Sequence, residues 1–482
     1  MINLKNQKIN LTKLVEILFY TFPLSFILGN LIVSLNLVAF IISSLFLIKK
    51  EKMTFKLNMA HWLLVAFFVY VLLSTTIQFQ IPGFLSEYTK DWPLETHPVF
   101  KSFLLIRYLI LIFVVNILFV NKIINLKKLF LFCLICSSFV CIDIFFQYFN
   151  GTDLFGYKNL IDKNSGPFGD EFIAGSYLLK FSFFSFFGFL ALNENKKYSN
   201  IFLVIIIALH LFAAALAGNR MPMLLFLFGC FLIFVLVKNL RIVMCLSMIA
   251  FLTMFISLIK FDKHFGGTYS TFFSEINIFN YLNNDKNVTE EFALESKKDE
   301  TKHLADRGGR ENKENLFLRG SDHRSVFLTS YWMWKMKPWT GYGLKSFRIK
   351  CWDFLTIIRN SIFGTKANLG CSTHSHNYYI ELLVETGIVG ITLIMAFFII
   401  ILKNSFLYLK NYYQTKNNEI YFLIPVIIIF LVEMWPLRSS GSFFTTWNAT
   451  FLWLYFPLLI TLQKNKLPMK QEFISQMCMI LD

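Results

Sequence analysis

Long apolar runs alternate with short polar connectors along most of the chain. Stretches such as "LFLFCLICSSFVCIDIFFQYF" and "GITLIMAFFIIILK" are continuous rather than alternating. A hydrocarbon core of about 30 Å takes roughly 20 helical residues to cross, which these runs supply. Barrel strands would alternate apolar and polar positions, and these do not. The pattern therefore predicts an all-α polytopic membrane protein with about 12 transmembrane helices, near 12–29, 31–48, 59–78, 102–120, 128–147, 173–192, 200–217, 221–238, 241–260, 377–402, 419–437 and 442–462. The first two form a hairpin turning at Gly29-Asn30. The N-terminal run has the basic flank of a signal peptide but no small-residue cleavage site, and is expected to stay as the first span.

Composition agrees: 56% of the 482 residues are hydrophobic, 58 of them Phe. Charge adds orientation. With the N-terminus inside, the inside segments carry 20 Lys and Arg against 6 in the short outside segments. The positive-inside rule then places both termini in the cytoplasm and turns most of the +16 net charge into a topology signal. No basic nucleic-acid-binding module is visible, so no nucleic-acid partner is expected.

Residues 261–375 break the pattern and are expected outside as one large loop. The expected organisation is 1–260 as transmembrane helices, 261–375 as this loop, and 376–482 as the last helices with a cytoplasmic tail. The stretch from Asn283 to Ser325 holds 9 basic and 10 acidic residues, and its first half, about 284–315, reads as a mobile insertion. From Ser325 the chain turns aromatic and amphipathic, predicting a folded lid against the membrane surface. Ser321 or Asp322 starts a helix running to about Lys337, which Pro338 ends. Cys351 and Cys371 alone among the cysteines share this loop. They form a disulfide if that compartment is oxidising and remain thiols if not. Cys133 and Cys136 lie in an apolar run without further ligands and read as core.

Several polar residues need a reason. Arg107, Asp143, Lys180, His210 and Glu433 fall inside spans, where interhelical pairing is the ordinary explanation. Arg220, in "LAGNRMPM", stands where a helix enters with its N-terminus outward. Free N–H groups and a guanidinium together suit phosphate oxygens. Arg324 is predicted in the first turn of the lid helix, where a cation opposes the macrodipole and an anionic ligand would account for it. In "HSHNYYIELLVETGIVG", Asn377, Glu381 and Glu385 are spaced to line one helical face, with His374 and His376 at its rim. Imidazole can accept a proton from a hydroxyl near neutral pH; a His-x-His metal pair is the other option, but no further ligands are obvious.

Together, "AGNRMPM", a long loop with "DHRSVFLTSYWMWKMKPWTGYGLKSFR", and "HSHNYYIELLVETGIVG" resemble the O-antigen ligase and polymerase superfamily of bacterial envelopes. "NSGPFGDEFIAGSYL" and "WPLRSSGSFFTTWNATFLW" are similar to it as well, so the resemblance runs over about 160–460. It implies a C-type glycosyltransferase-like helical fold in the bacterial inner membrane. The implied activity is a metal-independent, inverting glycosyltransferase with no cofactor. The donor is a glycan on undecaprenyl diphosphate, and the acceptor is lipid A-core or another glycolipid for a ligase, or another lipid-linked repeat for a polymerase. His376, Arg220 and Arg324 match the family's functional set; His374, Asn377 and Arg438 are the candidate substrate-binding residues. The charged insertion departs from the family's compact loop. A polysaccharide or lipid transporter is the rival from another class, but no internal repeat is visible and the polar cluster lies at a rim rather than the midplane.

Overall fold

The computed structural model describes residues 10–80, 97–159, 163–193, 198–263, 265–267, 269–270, 322–359, 369–415 and 422–460; the expected insertion at 284–315 lies outside them. Among the described residues the fold is helical without strands, with one isolated bridge between Thr152 and Lys158. In chain order the helices are α1 (Leu11–Tyr20), α2 (Phe22–Ile27), α3 (Asn30–Lys50), α4 (Met59–Gln80), α5 (Pro98–Leu104), α6 (Ile106–Val120), α7 (Leu126–Asn150), α8 (Ala174–Leu192) and α9 (Ser199–Leu216). They continue as α10 (Arg220–Leu236), α11 (Arg241–Phe261), α12 (Asp322–Met336), α13 (Phe347–Arg359), α14 (Tyr378–Thr415), α15 (Ile424–Glu433), α16 (Thr446–Tyr455) and α17 (Pro457–Ile460).

Among the described residues, eight helical segments are long and apolar enough to cross a membrane. The chain is a multi-pass membrane protein. The other four of the twelve expected spans are short or broken. The 12–29 run is interrupted at Thr21, ahead of Pro23, and the 442–462 run at Phe456, ahead of Pro457. Proline removes an N–H and disfavours helix in the residue before it. The remaining two, α10 and α15, have 17 and 10 residues. Hydropathy does not see the breaks at Thr21 and Phe456, because the residues on either side are largely apolar.

α8 forms the centre of the bundle, buried on almost every side, with Phe181 packed against Phe26 and Phe451. Of the polar residues expected to pair between helices, His210, Arg107 and the Lys180–Glu433 couple do so. Asp143 instead accepts from Leu154 N (2.9 Å) in the connector that follows, with Oδ2 unpartnered among the described residues. Ser137 contacts both Ser185 Oγ (2.7 Å) and His210 Nε2 (3.0 Å), which ties α7, α8 and α9 together. Cys133, Cys136, Cys141 and Cys230 are free and buried.

The 322–359 segment has a small core of its own, in which Val326, Met333, Tyr342, Phe347 and Phe354 pack with Val384 of α14. What joins it to the bundle is a break in α14 at Gly387, where φ is +64° and ψ is −169°. An interrupted helix leaves backbone groups without partners, which a bilayer cannot supply. Here the Pro338–Gly343 turn supplies them. Tyr342 N donates to Val384 O (3.0 Å) and Gly343 N to Glu385 O (2.9 Å). In return, Ile388 N donates to Pro338 O (2.8 Å) and Val389 N to Trp339 O (3.3 Å). Tyr70 Oη, from α4, donates to Thr386 O (2.9 Å). Gln78 and Thr75 of α4 hold the same turn through Thr340, Lys337 and Leu344.

A Cβ at position 387 would stand 2.3 Å from Trp339 O, in a backbone conformation that essentially only glycine adopts. Gly387→Ala should therefore destabilise by at least the ~1–3 kcal/mol of such strain. Thermal unfolding of the detergent-solubilised protein checks this: a clear fall in Tm is expected, and an unchanged Tm would show that the turn does not dock there.

Candidate active site

The start of α14 is stitched to the loop that follows α15. Asn377 caps the helix: its Oδ1 accepts from Tyr379 N (3.0 Å) and Ile380 N (3.2 Å). Its amide NH₂ donates to Pro436 O (2.8 Å) and Arg438 O (3.0 Å). Tyr379 Oη donates to Met434 O (2.5 Å), and Ser440 N to His376 O (2.8 Å). One turn on, Glu381 accepts from Ser442 Oγ (2.5 Å) and Phe443 N (2.7 Å). The acidic face expected on this helix is thus real, and at Glu381 its purpose is to hold the 434–443 loop. Glu385, a turn deeper, is buried with Oε2 unpartnered among the described residues.

Above this seam three imidazoles gather. The ring of His376 lies 4.2 Å from that of His374 and 4.6 Å from that of His323, centroid to centroid. His376 Nε2 meets Ser372 Oγ (2.9 Å), His374 Nε2 meets Ser440 O (3.2 Å), and His323 Nε2 meets Ser439 Oγ (3.3 Å). Among the described residues no His, Cys, Asp and Glu group has the arrangement to hold a metal ion. His376 itself has φ +53°, an uncommon backbone for a residue with a side chain. Such local strain persists where the surroundings impose it, and the 2.8 Å bond from Ser440 N to the His376 carbonyl is part of that imposition. Cys351 and Cys371 are joined by a disulfide, which fixes α13 to the segment leading into the histidines.

Burial, with the neighbouring His374 and His323, pushes His376 down to about 4. Burial lowers His374 as well, against the opposing pull of Glu381. At neutral pH His376 is therefore an uncharged imidazole, able to take up a proton, with its Nε2 held by Ser372.

The remaining sequence-predicted residues fall as follows. Arg324 is on α12 immediately after His323, in the first turn as expected; its side chain lies outside the described residues. Arg438 is committed to Glu433, with Nη1 2.9 Å from Oε2 and 3.2 Å from the backbone carbonyl. Lys180 binds the other carboxylate oxygen at 2.6 Å, completing a buried cation–anion–cation group. Arg220 opens α10 at a separate junction, near Tyr269, where Asn219 donates to Phe172 O (3.1 Å) and Asn164 to Leu216 O (2.6 Å). The two places share an end of α8. Gly175 lies against Asn219, Lys180 binds Glu433, and the intervening rise is roughly 7.5 Å at 1.5 Å per residue.

Residues 202–395 match the model of the O-antigen ligase family. The chain carries a domain of this family. The matched segment takes in Arg220, α12 with His323 and Arg324, and α14 from His374 through the break at Gly387; Arg438 and the 434–443 loop fall beyond it. No curated protein matches the chain. Within the O-antigen ligase domain, His323 is the residue that sequence reasoning passed over. Its signal was its place beside Arg324 at the start of an amphipathic helix, which sets both on the same turn.

A histidine-selective NMR titration of the solubilised protein tests the burial argument. His376 should remain neutral at about pH 5 and titrate near 4. Between about 6.5 and 4 the unfolded chain binds a proton that the folded site refuses, so stability should fall as pH falls through that window. Protonation of His376 near 6.5 would contradict the geometry.

Proposed function

We propose that this protein is an O-antigen ligase-type glycosyltransferase with a C-type glycosyltransferase-like fold. It moves a glycan from undecaprenyl diphosphate to a hydroxyl of lipid A-core or a similar glycolipid, at the periplasmic face of the bacterial inner membrane. Both termini are cytoplasmic, and residues 261–375 form the periplasmic segment. The observation that carries the reading is the neutral His376, gathered with His374 and His323 over the start of α14 inside the O-antigen ligase domain.

The chemistry is a single inverting displacement. The acceptor oxygen attacks the anomeric carbon, the bond to the diphosphate breaks, and His376 takes the acceptor proton. The group to stabilise is the departing diphosphate, and Arg220 and Arg324 are assigned to it because charge-assisted, forked hydrogen bonds suit phosphate oxygens. A bound diphosphate also raises the proton affinity of a nearby imidazole, which turns a weak base in the empty site into a stronger one when donor is present. His374 orients the acceptor. Asn377 and Arg438 contribute to substrate binding by positioning: one caps α14 and ties it to the loop, the other anchors that loop through Glu433. No metal takes part.

Purified protein, a lipid-linked donor and a lipid acceptor test the assignment. His376→Ala should lower transfer by about 10²–10⁴-fold, the usual worth of positioned acid–base catalysis, while donor binding persists. Arg220→Lys keeps the charge but loses the planar fork, and should remain badly impaired. EDTA should have no effect; inhibition reversed by a divalent cation would contradict the metal-free mechanism. A deletion strain separates ligase from polymerase. Loss of all long glycan from lipid A fits a ligase, and retention of a single repeat fits a polymerase.

A further inference from the structure

Next to the 440–443 loop, which Lys345 reaches at Ser442, lies a cleft of about 760 Å³. Its walls carry Lys101, Arg107, Lys345 and Arg348, with no acidic residue among the described lining side chains. The four cations come from different elements: Lys101 from α5, Arg107 from α6, Lys345 and Arg348 from the segment that docks on α14. Lys345 feels Glu381 and Glu385 of α14 on the one hand and Arg348 and Lys101 on the other, so the carboxylates answer Lys345 in part. Among the described residues none of the four is in an ion pair. Holding Lys101, Arg107 and Arg348 together beside Lys345 costs free energy unless something negative joins them.

The neutral groups of the cleft suit an anion too. Arg107 donates from Nη2 to Tyr108 Oη (3.0 Å) and Thr446 Oγ1 (3.3 Å), and its Nε is buried without a partner among the described residues. α16 begins at this wall, with no side-chain cap from Thr445, so its first N–H groups remain for a ligand. The cleft also has a route to the membrane. Asn30 and Ser34 of α3 line it, and beside them Leu31, Leu35, Val38 and Ile42 form an exposed apolar stripe along the same helix. A free phosphate would have no use for that stripe; a lipid tail would.

We infer that this cleft anchors the phosphate of a lipid headgroup, with the lipid's tails lying along the outer face of α3. The site is distinct from the Arg220 junction. Lys345 Nζ reaches Ser442 Oγ (3.2 Å), and Ser440, two residues back, contacts both His374 and His376. A headgroup held in the cleft is thus separated from the imidazoles by one short loop. On the transfer reading, from which only its identity follows, this lipid is the phosphorylated acceptor.

Native mass spectrometry of the purified full chain in detergent tests this, with phosphatidic acid, phosphatidylcholine and inorganic pyrophosphate as probes. Phosphatidic acid should bind in preference to the other two. The double variant Lys101→Glu, Arg348→Glu alters two exposed side chains and should weaken phosphatidic acid binding at least tenfold. Undiminished binding in the double variant would overturn the site. Pyrophosphate binding as tightly as phosphatidic acid would overturn the lipid assignment. Binding should survive in His376→Ala, whatever becomes of transfer in that variant, so a failure of the catalytic reading and a failure of this one give different results.

Discussion

A spanning helix that breaks partway leaves backbone groups that a bilayer cannot satisfy, and the architecture around α14 follows from how those groups are met. The carbonyls of Val384 and Glu385 and the N–H groups of Ile388 and Val389 pair with the Pro338–Gly343 turn. That pairing fixes the segment bearing α12 and α13 to the membrane bundle. It places His323 over His376, and sets Lys345 and Arg348 at the rim of the cationic cleft. Glycine is required on both sides of the contact. A Cβ at Gly341 would lie 2.6 Å from the backbone of Glu385, and one at Gly387 would meet Trp339.

A second set of constraints holds the other wall. The 434–443 loop is tied to α14 at Asn377, Tyr379 and Glu381, and to α8 through the Lys180–Glu433–Arg438 group. Removing either cation would leave charge poorly compensated in a dry interior, a loss typically of about 3–5 kcal/mol for a broken buried pair. The charged residues here are therefore chiefly builders. They fix a loop whose backbone contacts both histidines, and the proposed chemistry falls to a neutral imidazole in the surroundings they create.

Much of this was legible in the sequence. The helical membrane class, the lid helix ending at Pro338 and the acidic face of the helix after Asn377 all follow from pattern and spacing, because each depends on local chemistry. Eight long spans were legible for the same reason, whereas α1–α2 and α16–α17 read as continuous because hydropathy averages over the breaks. What stayed hidden depends on long-range contact. Nothing local to Arg438 says that its guanidinium will be taken by Glu433, and nothing local to Arg107 or Lys345 says that they will face one cleft. His323 was overshadowed by Arg324, since a cation in a first turn calls for explanation and a histidine does not.

The central claim is that the imidazole of His376 accepts the acceptor's proton. Its left-handed backbone makes glycine the natural replacement, leaving a ring-sized hole without adding strain. Transfer by His376→Gly should be measured against added imidazole. Negligible transfer by the variant alone and a rate that climbs with imidazole concentration are expected. Transfer at the wild-type rate by His376→Gly without imidazole would contradict it.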